Sequence, residues 1–133
     1  MKLHCPLLVA CIVMITLAVV PPAIALTPAH LWSGAYGAGG TDAANAVTTD
    51  ASGNVYITGY FANTVSFGGT PLVSAGLNDI FIAKYNSSGV HQWSQRYGST
   101  SDDRGASITE SGNRLYLTGQ FGGTVTFGGS NLV

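Results

Sequence analysis

The chain has 133 residues and a formal net charge of −1, and only 8% of its residues are charged. Five Lys and Arg residues against six Asp and Glu residues exclude a protein that binds nucleic acid by neutralising phosphates. Apolar residues make up 46%, which argues against disorder, and 18 glycines are close to twice the usual share of about 7%. This composition predicts a glycine-rich, aromatic β protein.

The N-terminal segment has the pattern of a secretory signal peptide. Lys2 precedes an apolar run from Cys5 to Val20, and Ala23 and Ala25 occupy the −3 and −1 positions of an A-x-A cleavage site. The run is short for a spanning helix, which needs about 20 apolar residues. Cleavage after Ala25 and export to the periplasm, cell surface or medium are predicted, with no membrane span afterwards. An uncleaved anchor and a lipobox ending at Cys11 stay open as alternatives.

Four strands are predicted after residue 45. Residues 46–49 and 55–61 are β-branched and aromatic runs around a Ser-Gly-Asn turn, which is typical of a hairpin. Residues 79–85 and 90–97 are predicted as a second strand pair, joined by an Asn-Ser-Ser-Gly turn. An apolar, glycine-rich connection at 65–69 joins the two hairpins.

The same unit begins again about 60 residues later. Between residues 55–73 and 115–133, 11 of 19 aligned positions are identical. Upstream, the offset is 61, and one deletion in the first hairpin turn explains the change. Because these residues recur at fixed places, we predict structural roles for them. The repeated pairs singled out are Trp32 and Trp93, Tyr56 and Tyr116, Gly59 and Gly119, and Phe67 and Phe127.

Four antiparallel strands in about 60 residues, repeated, predict an all-β chain of β-propeller blades. Residues 1–25 are the signal peptide, and 26–45 hold a lone outer strand at 31–37, of the type that closes a ring. Residues 46–98 form a complete blade and 99–133 a truncated second blade, so about one and a half blades of an incomplete ring are present. A ring needs about four to eight blades. We therefore expect the N-terminal fragment of a longer protein, with a ring of several short chains as the alternative.

Several motifs are specific as a set: Asp50–Gly59, Phe67–Gly69, Asp79–Tyr85, Trp93 and Tyr97-Gly98. Together they resemble the SBBP-type repeat of seven-bladed β-propellers in secreted bacterial proteins, over nearly all of Trp32 to Val133. The resemblance implies a multi-blade extracellular propeller, often one part of a larger surface protein, whose partners include the remaining blades. It implies no shared reaction and transfers no catalytic residue.

No catalytic or metal-binding constellation is predicted. His4, His30 and His91 form no metal-binding motif, and both cysteines lie in the predicted signal peptide. No serine lies in a G-x-S-x-G elbow. The sequence therefore predicts no enzyme activity within this chain and no cofactor.

Two acidic segments allow a functional and a structural interpretation. Asp50 to Asn54 offers oxygen ligands for calcium, but the same residue types suit a tight hairpin turn, which we favour. Asp102-Asp103-Arg104 is the densest charge cluster, and Thr41-Asp42 occupies the equivalent place in the first unit. A blade-connecting loop that caps backbone amides is predicted there.

The favoured function is a non-catalytic extracellular scaffold or interaction module. A carbohydrate-binding, lectin-like propeller is the first alternative, because Trp32, Trp93 and the tyrosines would stack on sugars if exposed. The second alternative is part of a propeller enzyme whose active residues lie in other blades. A protein or glycan ligand is compatible with the sequence, whereas core packing is the favoured role of the aromatic residues.

Overall fold

The computed structural model describes residues 10–16, 29–129 and 131–133, so the predicted cleavage residues Ala23 and Ala25 lie outside the described part. Every regular element within it is a β-strand, and none of its residues belongs to a helix that could cross a membrane. The strands are β1 (Ala10–Thr16), β2 (Ala29–Tyr36), β3 (Ala43–Thr49), β4 (Val55–Val65), β5 (Leu72–Tyr85), β6 (His91–Tyr97), β7 (Arg104–Ser111), β8 (Arg114–Gln120), β9 (Val125–Thr126) and β10 (Asn131–Leu132).

A four-stranded antiparallel sheet forms the centre of the molecule. Its order is β3-β4-β5-β6, which follows the chain without a crossover. This is the arrangement of a complete propeller blade, and β7 and β8 form the first half of a second one. The predicted all-β architecture of antiparallel blades, one complete and one partial, is confirmed.

The central hairpin is longer than the sequence suggests. We expected the third strand to begin at residue 79, but β5 begins at Leu72 and pairs with the end of β4 beyond an irregularity at Ala62 to Thr64. There Thr64 lies opposite Val73 and Val65 lies opposite Leu72. The run of Ala, Gly and Asn in the middle of β5 has low strand propensity, which is why the apolar pattern failed to show its first half.

Both faces of the central sheet are covered. On one face a buried cluster around Phe61, Phe81 and Tyr85 packs against Trp32 and Tyr36 of β2. The other face packs against β7 and β8 through a second cluster of Tyr56, Ile82 and Ile108, with Leu115 and Leu117 half-buried beside it. Because side chains alternate along a strand, one blade supplies both clusters.

Two repeated glycines allow a close approach of neighbouring strands. A Cβ on Gly59 would collide with the carbonyl group of Ala43, and a Cβ on Gly119 would collide with the carbonyl oxygen of Arg104. Both glycines lie beside a register shift in the adjacent first strand of the blade. These contacts favour the structural role predicted for this glycine pair, because a side chain has no room at either position.

Candidate interaction surface

Two buried carboxylates, Asp42 and Asp103, lie in the loops just before the first strand of each unit. Asp42 accepts hydrogen bonds from the backbone N–H of Ala38 at 2.8 Å and of Ala62 at 3.1 Å. Asp103 accepts them from the N–H of Ser99 at 2.6 Å and of Gly122 at 2.8 Å. These are the same positions in both units, so the predicted capping role of the acidic loop is confirmed.

A third carboxylate repeats part of this arrangement within the blade. Asp79 is buried, accepts the N–H of Ala75 at 3.0 Å and forms an ion pair with Arg96. In all three cases the donor N–H lies four residues before the aspartate, in a loop for Asp42 and Asp103 and within β5 for Asp79. The acidic residues therefore accept hydrogen bonds from partly buried backbone amides that the strand ladders leave without an acceptor.

The Asp50 segment is a hairpin turn. The Asp50 carboxylate accepts the N–H groups of Ser52 at 2.9 Å and Asn54 at 3.0 Å, the side-chain amide of Asn54 at 2.7 Å and the hydroxyl of Tyr56 at 3.1 Å. The hydrogen bond from the Asn54 side chain is the main cause that lowers the pKa of Asp50. Gly53 has a φ of 76°, as this turn requires. These contacts favour the turn interpretation, because protein donors surround the carboxylate oxygens.

The second copy of this turn uses different chemistry for the same bend. Gly112 and Asn113 both have positive φ, 59° and 62°, which is the conformation of a two-residue type I′ hairpin. Glu110 accepts the N–H of Asn113 at 2.8 Å. The shorter turn accounts for the change of repeat offset, since one residue fewer is needed to reverse the chain.

The repeated aromatic residues of the first unit lie in its core. Trp32 lies 5.6 Å from Tyr85 between ring centroids, and Tyr36 stacks on Tyr85 at 5.4 Å. Phe67 stacks on Phe81 at 4.3 Å. Burial raises the pKa of Tyr85, whose hydroxyl donates to the carbonyl oxygen of Phe67 at 2.8 Å. These contacts favour the packing role that the sequence predicts for Trp32 and Phe67.

The corresponding aromatic residues of the second unit keep one equivalent ring contact, but no strand equivalent to β5 packs over them. Phe127 stacks on Tyr97 at 4.7 Å, which repeats the contact between Phe67 and Tyr36 at 6.0 Å. Trp93 is half-buried, and its ring centroid lies 6.2 Å from that of Tyr56. However, Phe127 and Tyr116 are exposed, so these two predicted structural positions do not lie in a core.

An open groove lies beside β8, and we call it the third-strand gap. One part, with a cavity volume of about 360 Å³, has a largely apolar lining, and an adjoining part of about 570 Å³ reaches β6. Its main lining residues are Trp93, Tyr97, Leu117, Phe121, Phe127 and Leu132.

The first unit shows what fills the equivalent space. There β5 pairs with β4 on both sides of an irregularity, with Val55 opposite Tyr85 and Ile57 opposite Ala83. In the described residues β8 pairs with β7 alone, so its other edge presents unpaired backbone groups. The third-strand gap therefore has the shape and chemistry of a place for one more strand.

The arginines at the rim of the gap and at the start of β7 both form ion pairs within the chain. Arg96, on its rim, is paired with Asp79, and Arg104 is paired with Asp102 at 2.8 Å and lies over the ring of Tyr60. Hydrogen bonding to Arg104 lowers the pKa of Asp102. No group of three metal-ligating side chains occurs in the described ranges.

Sequence reasoning located the repeat but not the residues that distinguish its two copies. Phe81 and Tyr85 cover the first unit, and neither has a counterpart within residues 115–133. The signal was present in the sequence, because the repeat aligns residues 55–73 with 115–133 and leaves 79–85 unmatched. No protein-family model matches this chain, and no curated protein is significantly similar to it.

Proposed function

We propose that this chain is a segment of an SBBP-type extracellular β-propeller and acts as a non-catalytic scaffold or interaction module. Its partners are the remaining blades of the same protein. The observation that carries this proposal is the third-strand gap, where repeated core residues are exposed on the second unit and buried on the first.

The first unit specifies the chemistry of the occupant. A strand with the pattern of β5 would place the equivalent of Ala83 opposite Leu117, because Ala83 lies opposite Ile57 in the first unit. Its aromatic residues would then face β6. The equivalent of Tyr85 would cover Trp93, as Tyr85 covers Trp32. An extended strand therefore supports the proposal better than a compact small molecule does.

A glycan is the competing occupant. Trp93 and Tyr97 are aromatic surfaces with polar neighbours, and such surfaces bind sugars in many proteins. In the first unit, however, the equivalent residues Trp32 and Tyr36 are occupied by Tyr85. The internal repeat thus supports a strand as ligand at this place, and sugar binding becomes an outcome of the test.

The proposal includes export. The basic residue, apolar run and A-x-A site of the N-terminal segment support a leader that directs the chain out of the cytoplasm. The extracellular or periplasmic location follows from that leader, and removal of the leader would leave β2 as the first strand.

The test is a titration of the full chain with a peptide of β5, residues 78–86. Trp32→Phe leaves Trp93 as the single tryptophan. We expect a saturable blue shift of its emission with a midpoint below about 1 mM, because a strand edge with apolar pockets binds at this order of affinity. Trp93→Phe is the matched control, since Trp32 is already covered by Tyr85.

A control peptide carries Phe81→Ser and Tyr85→Ser, and it should give no shift. Absence of a shift with the native peptide contradicts the proposal. A shift caused by oligosaccharides from a glycan panel, with none caused by the peptide, would favour the lectin-like function instead.

A further inference from the structure

β1 pairs with β2 in the place where, in the blade, β5 pairs with the equivalent strand β6. β2 resembles β6, with Trp32 and Tyr36 equivalent to Trp93 and Tyr97 at an offset of 61. In the blade, β6 pairs with β5. In the first sheet, β2 pairs with β1, which belongs to the apolar N-terminal segment.

The two pairings have the same register. Ala83 lies opposite Ser94 in the blade, and Val13 lies opposite Ser33, which is the equivalent serine. The agreement extends along the whole pairing. Ala10, Cys11, Ile12 and Met14 lie opposite Tyr36, Ala35, Gly34 and Trp32, whose equivalents Tyr97, Arg96, Gln95 and Trp93 lie opposite Ile80, Phe81, Ile82 and Lys84.

The irregularities coincide as well. The blade pairing shifts between Lys84 and Tyr85, so that Tyr85 lies opposite His91. The β1 pairing shifts between Met14 and Ile15, so that Ile15 lies opposite His30, the equivalent histidine position. A bulge at the same place shows that the two registers agree to the residue, because a slip by one position would move the bulge. Such a slip would also turn every side chain of the strand to the other face.

β2 is attached to the blade independently of β1. Trp32 and Tyr36 pack on Tyr85, and Tyr36 also contacts Phe67. These side-chain contacts hold β2 against the central sheet, whereas β1 covers its backbone edge. Exchange of β1 for another strand would therefore leave the packing of β2 intact.

We propose that β1 is a placeholder strand. It covers the edge of β2 in the place and register of a β5-type strand, and its removal opens this edge to a strand with the sequence pattern of β5. The inference rests on the proposed function in one respect, the removal of the leader that contains β1. The occupant is a strand with an acidic first residue, three large apolar residues, a small residue, Lys and Tyr, as in Asp79–Tyr85.

Covering the edge has a physical purpose. An unpaired strand edge is a template for aggregation, and β2 would expose one if nothing paired with it. A placeholder in the correct register protects the edge until the leader is removed. The same register then directs the incoming strand.

The test is disulfide trapping at Ser33 in the full chain. The chain carries Cys5→Ser, Cys11→Ser and Ser33→Cys, and a protease site is inserted between residues 20 and 28. The probe is the peptide of residues 78–86 with Ala83→Cys, and the register control is the same peptide with Ile82→Cys. We expect trapping of the first peptide to become at least about tenfold faster after the chain is cut, because β1 then dissociates from its edge. The register control should remain slow.

Equal trapping rates before and after cutting would overturn the proposal, and so would equal rates for the two peptides. In a second variant, Val13→Cys is added to the trapping chain. An intramolecular disulfide should form and block trapping even after cutting, and its failure to form overturns the register. Oligomers of the intact chain joined through β1 and β8 would also overturn the placeholder role. These results are independent of the Trp93 titration, which reports on β8, so failure of the proposed function is distinguishable.

Discussion

The two copies of the repeat share 11 of 19 aligned positions and have different surroundings. Phe67 is 4% exposed and its counterpart Phe127 is 40% exposed, while Tyr56 and Tyr116 are 8% and 52% exposed. The local structure is the same, because both copies have the close-approach glycine and the capped aspartate. Hairpin geometry is therefore encoded within each unit, whereas burial depends on the strand that lies beside it.

The comparison is sharpened most by the matched pair Phe67→Ala and Phe127→Ala. Phe67 packs on Phe61, Phe81 and Tyr36, so its truncation should lower the free energy of unfolding by about 3–5 kcal/mol. The same change at Phe127 should cost less than half as much, because its side chain is already in contact with water. Denaturant unfolding of the full chain measures both, and equal losses would remove the distinction between the two units.

A second pair tests what the copies share. Asp42→Ala and Asp103→Ala each leave two backbone N–H groups without their acceptor. We expect each to cost about 2–4 kcal/mol, with similar values for the two variants. Thermal unfolding provides the measurement, with the more exposed Asp102→Ala as the control that should cost less. A large cost in one unit alone would show that the capping is not equivalent.

Gly59→Ala and Gly119→Ala address the shared close approach of strands. The added methyl group meets a backbone carbonyl in both cases, so we expect about 1–3 kcal/mol of destabilisation from displaced backbone. Gly129→Ala is the control, since nothing lies within 4 Å of its added Cβ, and it should change stability by less than about 0.5 kcal/mol. If Gly119 tolerates alanine as Gly129 does, β7 and β8 do not approach as closely as the first two strands of the blade.

The smallest expected effect concerns Tyr85, which has no equivalent residue within 115–133. Burial raises the pKa of Tyr85 above its usual 10.0, so the folded state favours the neutral phenol. The resulting stability is complete below pH 10 and is lost as pH rises from there through the folded pKa.

Unfolding free energies between pH 8 and 12 measure this dependence. Tyr85→Phe should cost about 1 kcal/mol at neutral pH by losing its hydrogen bond to the Phe67 carbonyl. The variant should lose less stability than the native chain at alkaline pH. An identical alkaline profile for the variant would show that Tyr85 is not responsible.

The sequence predicted the blade because the repeat, the turns and the strand alternation agree. Turn residues such as Gly53 and the capping Asp103 were recognised from residue chemistry, which acts over a few positions. The exposure of Phe127 and Tyr116 was not, because residues that recur in both copies suggest the same surroundings, and only the unmatched residues 79–85 show the difference. Likewise β5 extends to Leu72 only because β4 lies beside it. The pairing of β1 with β2 could not be predicted either, because no local sequence pattern specifies which strand lies beside β2.

Hydrogen exchange at the backbone amides of β4 and β8 distinguishes a paired strand edge from an open one. The two strands occupy equivalent positions in the repeat and differ in whether a β5-type strand pairs with them. We expect the β8 amides corresponding to those of β4 that face β5 to exchange at least about 100-fold faster in the full chain, since their hydrogen bonds are not made. Equal protection of β4 and β8 would contradict this expectation, because a partner would then already occupy the third-strand gap.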